Sequence, residues 1–192
     1  MEAARLLPIS VEDYLACEEA GSVRHEYIGG EIHAMAGESV VHNAIALNIA
    51  ATLRNRLRGG PCRVFIENVK VRLEIAREDI FYYPDVVVSC HPTGIERLFV
   101  RLPTLIFEVL SPSTENTDRR EKKLNYPQMP TLEEYVIVAQ ERREVTVFRR
   151  ANNWVAETFT AADAAIDLRS VKQALTLGEI YEDVSFQEAL EK

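Results

Sequence analysis

The sequence predicts an α/β (α+β) fold, a mixed β-sheet flanked by helices, and three observations carry that expectation. One strongly periodic helix, HNAIALNIAATLRNRLRGG, is followed by three strand-like runs and not by a regular alternation of strand and helix. A charged helical stretch and further strands come after them, giving an αβββαβ core with an N-terminal helix and hairpin and extra C-terminal strands. No glycine-rich GxGxxG or Walker loop is present, so a doubly wound nucleotide-binding fold is not expected.

The elements justify themselves in order. SVEDYLACEEAG has Ser10 as a cap, Asp13 in the capping-box position and Gly21 as a stop, predicting a short helix. HEYIGGEIHAM places Gly29-Gly30 between apolar and polar residues, a hairpin signal. In the long helix, Ile45, Ile49, Leu53 and Leu57 recur at i+4 before Gly59-Gly60. CRVFIENVKVRLEI alternates on one parity at Val64 and Ile66 and on the other at Val69, Val71 and Leu73, so a bulge or bend is expected near Glu67-Asn68. PDVVVSC after a turn-like YYP and TLIFEVL after Pro103 are the next strands. DRREKKLNY reads as a helix of two to three turns; EYVIVAQ, VTVFRR and WVAETFT read as strands, with QERRE as a turn. The tail LTLGEIYEDVSFQEALEK is expected to be helical.

A chain of 192 residues suits one domain spanning 1–192, its core at about 40–140. No apolar run reaches the roughly 20 residues of a membrane span, and MEAARLLPIS runs into charged sequence, so neither a membrane segment nor a signal peptide is expected. Cys17, Cys62 and Cys90 are odd in number and widely spaced, suggesting neither a disulfide framework nor a zinc site; a reducing cytoplasm fits. A net charge of -8 argues against a protein that coats nucleic acid non-specifically. Local basic clusters remain, at Arg54, Arg56 and Arg58 and at Arg119, Arg120, Lys122 and Lys123, readable as nucleic-acid contacts or as solvated helix faces.

Glu108 is the residue that demands an explanation. It puts a carboxylate inside the apolar run LIFEVL, where an unpaired charge costs several kcal/mol by a rough desolvation estimate. A proton, a basic partner or a metal ion could compensate it. Asp85 opens the preceding strand, and neighbouring strands could bring both carboxylates to one point, where they need a cation. Hard oxygen ligands with room for water suit Mg²⁺, which activates water for phosphodiester hydrolysis, and Lys122 is the obvious cation near that water. Pro84-Asp85 is also a common turn dipeptide, and Lys122 stands at i+4 from Asp118, the spacing of a surface salt bridge.

Taken together, RHEYIGGEIHAMAG, VVHNAIALNIAATLRNRLRGGPCRVF, YYPDVVVSC, PTLIFEVLSPSTENTDRREKKLNY and PTLEEYVIVAQ resemble the Uma family of endonucleases, in the PD-(D/E)XK restriction-endonuclease-like superfamily. The resemblance implies that fold and a Mg²⁺- or Mn²⁺-dependent cleavage of nucleic acid, most readily DNA, by a cytoplasmic homodimer. It implies Asp85 and Glu108 as metal ligands, with the Val109 carbonyl as a third. The superfamily lysine two positions after the acid is replaced by Leu110, and Lys122 matches its displaced position, with Lys123 as the substitute if the helix phase differs. Glu26, His42 and Asp118 are secondary site residues: Glu26 as a ligand through water, His42 as a phosphate contact or a helix cap. Arg119, Arg120, Lys123, Arg54 and Arg58 would contact nucleic acid. Two other readings stay open: a catalytically silent nuclease fold that binds nucleic acid, and a homo-oligomeric interaction protein pairing through exposed VTVFRR and WVAETFT strands.

Overall fold

The computed structural model describes residues 8–35, 37–111 and 117–186, the side chains of residues 117–119 excepted. The first helix, α1 (Val11–Ala20), starts where the sequence places it, the Ser10 hydroxyl accepting from the Asp13 N–H at 3.1 Å. The hairpin of β1 (His25–Ile28) and β2 (Glu31–Ala34) turns on Gly29 and Gly30, with φ of +55° and +101°. Both positions are left-handed, as a two-residue hairpin turn demands, and a Cβ at Gly30 would lie 2.5 Å from the Pro8 side chain. Helix α2 (Val40–Arg56) is capped by Ser39, whose hydroxyl takes the His42 N–H, and buries Ile45, Ile49 and Leu53.

The stretch from residue 62 to 82 departs from the expectation of one bent strand over 62–75. It forms β3 (Arg63–Ile66), β4 (Lys70–Ile75) and β5 (Glu78–Tyr82), and β3 belongs to a different sheet from β4 and β5. The bend falls at Glu67, which takes φ +46° and carries the chain from one sheet to the other. The parity switch marked that bend; the sheet crossing needed partners that lie far along the chain. Strands β6 (Val86–Ser89), β7 (Phe99–Val100) and β8 (Leu105–Leu110) follow. A helical run then passes from a π-helix at Thr117–Lys122 through α3 (Lys123–Asn125) to a 3₁₀ turn at Tyr126–Gln128. The remaining elements are β9 (Glu134–Ala139), β10 (Val145–Arg149), β11 (Ala156–Phe159), β12 (Ala165–Leu168), β13 (Gln173–Thr176) and α4 (Leu177–Ile180).

Two sheets stack, with α1 and α2 on their outer faces and Tyr126 of the helical run packed in the core between them. The six-stranded sheet has the order β11-β10-β9-β8-β6-β3, and the five-stranded sheet β2-β1-β5-β4-β7. Val86, Val88, Leu105, Phe107 and Val109 face α2, α4 and the β12-β13 hairpin. Their neighbours Val87, Ile106 and Leu110 face the other way, against Val71, Leu73, Ile80 and Tyr82 of the second sheet and Tyr126 of the helical run. On the far side of the five-stranded sheet, Phe81 and Tyr27 pack on Tyr14 of α1. Burial on both faces explains why β6 and β8 read as continuous apolar runs.

Three further expectations need correction. Strand β10 is buried throughout, held between β9 and β11, so VTVFRR is no exposed pairing edge. Of the tail, Gln173–Thr176 pairs with β12, and α4 has only four residues; residues 187–192 lie outside the described part. Leu175 is buried from a strand, and Leu177 and Ile180 from the short helix, all in the α2-side core, an arrangement that depends on the unforeseen β12. Finally, Cys62 and Cys90 form a disulfide, and Cys17 is a free, exposed thiol. The antiparallel β3-β6 register pairs Arg63 with Ser89, which sets residues 62 and 90 opposite each other at the next position out. Spacing along the chain carries no trace of that register.

Candidate active site

Strand register sets the two acidic residues of the sequence reading on neighbouring strands, backbone opposite backbone. Val86 pairs with Phe107 across the antiparallel β6-β8 ladder, so the next pair outward is Asp85 opposite Glu108. Directly opposed residues share a sheet face. Asp85 sits just before β6, where its carboxylate accepts the Val109 N–H at 2.6 Å and stands 3.3 Å from His42 Nε2.

Glu108 occupies a core position of β8 and is 3% exposed. Its Oε1 lies 3.2 Å from Lys122 Nζ and accepts the Tyr126 hydroxyl hydrogen at 2.7 Å. Lys122 is itself 4% exposed, and its ammonium also sits 3.1 Å from Glu26 Oε1. A basic partner and a buried phenol therefore compensate the charge that the apolar run could not. The ring of Tyr82 lies 5.3 Å from the same ammonium, while its hydroxyl donates to Glu121 at 2.5 Å and accepts from Asn125 at 2.7 Å.

These groups come from three separate parts of the fold. Glu26 is on β1, Asp85 and Glu108 on the β6-β8 ladder, and Lys122 and Tyr126 on the helical run. Glu26 is further held by the Tyr83 N–H at 3.4 Å. The helical phase turns Lys122 toward Glu108. Lys123 is exposed, with its ammonium 4.8 Å from the Phe148 ring.

His42 neither caps α2 nor stands in solvent. It is 4% exposed, with Nε2 3.9 Å from Glu38 as well as close to Asp85. Burial pulls the imidazole pKa down, but the hydrogen bond and charge of Asp85, aided by Glu38, lift it above its ordinary value. Burial first, then the Glu108 charge, push the Tyr126 phenol far up, so it remains a donor.

The other residues singled out by the sequence lie elsewhere. The side chains of Asp118 and Arg119 fall outside the described part. Arg120 is exposed beside Lys122. Arg54 and Arg58 mark the far end of α2, roughly 18 Å or more from His42 at the rise of a helix, and Arg56 is engaged with Glu179 and the Ala174 carbonyl. The sequence reading passed over Tyr126, Tyr82 and Glu38. Tyr126 was within reach, because it follows Lys122 by one helical turn.

The donor chemistry suits a hard divalent cation, since Asp85, Glu108 and the Val109 carbonyl all offer oxygen. Among the described residues, no group of three or more carboxylate, imidazole or thiol side chains is gathered closely enough to hold an ion by itself. An ion bound here would take main-chain oxygen or water as well, as Mg²⁺ commonly does.

Comparison with known proteins points the same way. A model of a family described as "Uma2: Putative restriction endonuclease" matches residues 11–178. The chain is 33% identical over 181 residues to the Synechocystis protein slr1290, covering 93% of this chain and 94% of the other, and 29% identical over 169 residues to sll1609 of the same organism, covering 85% and 94%. Both carry the description "Uncharacterized protein". A crystal structure of an Anabaena variabilis protein, titled "a putative nuclease belonging to DUF820", superposes with a TM-score of 0.73 at 20% identity, covering 90% of this chain and 97% of the other. At that identity the likeness shows the shared fold.

Proposed function

Because the chain belongs to the Uma2 family, we propose that it is a single-domain nuclease that hydrolyses phosphodiester bonds with a divalent metal ion. The observation that carries this reading is the placement of Lys122 Nζ, buried between Glu108 and Glu26 with Asp85 opposite Glu108 in the strand register. Asp85, Glu108 and the Val109 carbonyl would hold Mg²⁺ or Mn²⁺. Such an ion, when bound, polarises a phosphoryl group and makes its water a nucleophile near neutral pH.

The protein's own groups do the rest. Lys122 sets a positive charge, fixed by two carboxylates in a water-poor pocket, against the negative charge that builds on the phosphoryl oxygens. Tyr126 holds Glu108 in its rotamer, and His42 with the Val109 N–H holds Asp85. The reading extends to DNA as the substrate and to a cytoplasmic homodimer as the working form.

The test is a cleavage assay with Mg²⁺ or Mn²⁺ on plasmid and single-stranded DNA, run beside metal titration calorimetry. Asp85→Ala and Glu108→Ala should lose both metal and cleavage. Lys122→Met, which keeps the buried stem, should bind metal yet turn over about 10²-fold more slowly or worse. A fully active Lys122→Met protein would remove the lysine from the site. DNA binding without cleavage in any divalent metal would leave a silent nuclease fold.

A further inference from the structure

A cleft of about 260 Å³ opens from the candidate site, with Asp85 and His42 in its wall and the rest of its lining without a role in the reaction outlined above. The start of α2 gives it Glu38 and Asn43, the bend between β3 and β4 gives Glu67 and Asn68, and Arg24 and Tyr83 complete it. We propose that this cleft receives one unpaired nucleobase bearing an exocyclic amino group, from the nucleotide next to the phosphate under attack. The inference rests on the nuclease reading for its position beside the phosphate and on the cleft's own chemistry for its ligand.

Size sets the first limit. Pockets for drug-sized ligands start at about 300 Å³, so this one suits a single small ring system and excludes a stacked base pair. Charge sets the second. Beyond Asp85 and His42, Glu38 and Glu67 line it against Arg24, a balance that disfavours a second phosphate there and welcomes a neutral group with N–H donors. The side chains are also of the types that read base edges: carboxylates accept from cytosine N4, Asn pairs with adenine, and Arg pairs with guanine. Thymine would set a carbonyl oxygen against the carboxylate.

The bend supplies a separate observation. Glu67 holds φ +46°, a left-handed conformation that glycine adopts freely and glutamate does not. It is kept there by its N–H, which donates to the Asp85 carbonyl at 3.1 Å, and by Asn43, whose amide donates to its carboxylate at 2.8 Å. Asn68 is fixed in turn by Arg24 Nε at 3.0 Å. Such a conformation persists only where the surrounding structure fixes it, and here the fixing partners are the Asp85 backbone and Asn43. It presents a carboxylate to the cleft, while the backbone N–H of the same residue is tied to the Asp85 carbonyl.

A base can enter only after leaving the stack, which costs least where it has no partner. Single strands, flaps and mismatches are therefore the favoured substrates.

The test measures fluorescence anisotropy of labelled oligo(dC) and oligo(dT) single strands at neutral pH with EDTA, so that binding is read without cleavage. Wild type should bind oligo(dC) about tenfold or more tightly than oligo(dT). Glu67→Gly, which keeps the backbone conformation and drops the carboxylate, should bring the two within about twofold. Equal affinity in wild type, no binding to either strand, or a preference that survives Glu67→Gly would each overturn the proposal. A parallel Mg²⁺ cleavage assay judges the nuclease reading separately: a protein that prefers oligo(dC) but cuts nothing would sink that reading and keep the base cleft.

Discussion

Glu108 and Lys122 show how much one residue's meaning depends on its burial. From the helix pattern alone, Lys122 looks replaceable, because alanine is at least as good a helix former. In the folded protein it is buried between two carboxylates, and removing its charge strands Glu108 in the core. Breaking a buried pair from one side costs about 3 kcal/mol or more. Lys122→Met should therefore lower stability by that order in urea denaturation, and Lys122→Met with Glu108→Leu should recover much of the loss. A single variant as stable as wild type would show that the pair is not a buried one. Glu108 itself was legible from the sequence, since a carboxylate in LIFEVL has to be paid for somewhere. Glu26 was reached only through the family resemblance, because it meets Glu108 only through Lys122 and from a sheet that lies far away along the chain.

At the scale of elements, docking of α1 rests on one buried acid. Glu18 accepts the Tyr83 hydroxyl hydrogen and lies 2.9 Å from His25 Nδ1, joining α1 to β1 and to the residue after β5. Burial pushes its pKa up, but the hydrogen bonds from Tyr83 and His25 and the Lys70 charge outweigh that, so the folded value lies below the ordinary one. A carboxyl of this kind stabilises the fold above its unfolded pKa of about 4.3 and loses that contribution as pH falls through its folded value. Glu18→Gln should accordingly flatten the acid limb of stability against pH, seen in urea melts between about pH 3 and 6, where wild type loses stability steeply. An unchanged limb would assign the acid sensitivity to other carboxyls. Helices α1 and α2 and the first hairpin were readable because caps, glycines and i+4 spacing are local signals. Strand β5 was not: Ile80 and Tyr82 face one core and Phe81 another, so its apolar residues show no alternation and merge with the turn-like YYP. The crossing at Glu67 and the β12-β13 pairing were hidden for the same reason, since pairing partners are chosen in three dimensions.

For the whole molecule, charge decides how it meets nucleic acid. The net charge is -8, and the basic clusters of the sequence sit on separate elements: Arg120 and Lys123 are exposed on the helical run, while Arg54 and Arg58 stand at the C-terminal end of α2. Only a few phosphates can be neutralised at once, so the logarithm of duplex affinity should fall with the logarithm of salt at a slope no steeper than about -4. Titrations at several salt concentrations check this, and a slope near -9 would reveal a broad basic surface. The assembly of the site from separate layers has a consequence for the newly made chain. Glu26 arrives on one sheet, Asp85 and Glu108 on the other, and Lys122 on the helical run between them. No fragment holding a single sheet owns the full set of groups. If the proposed site is the working one, a half-made or half-folded copy should not cut, and the protein arms itself only when its last layer closes.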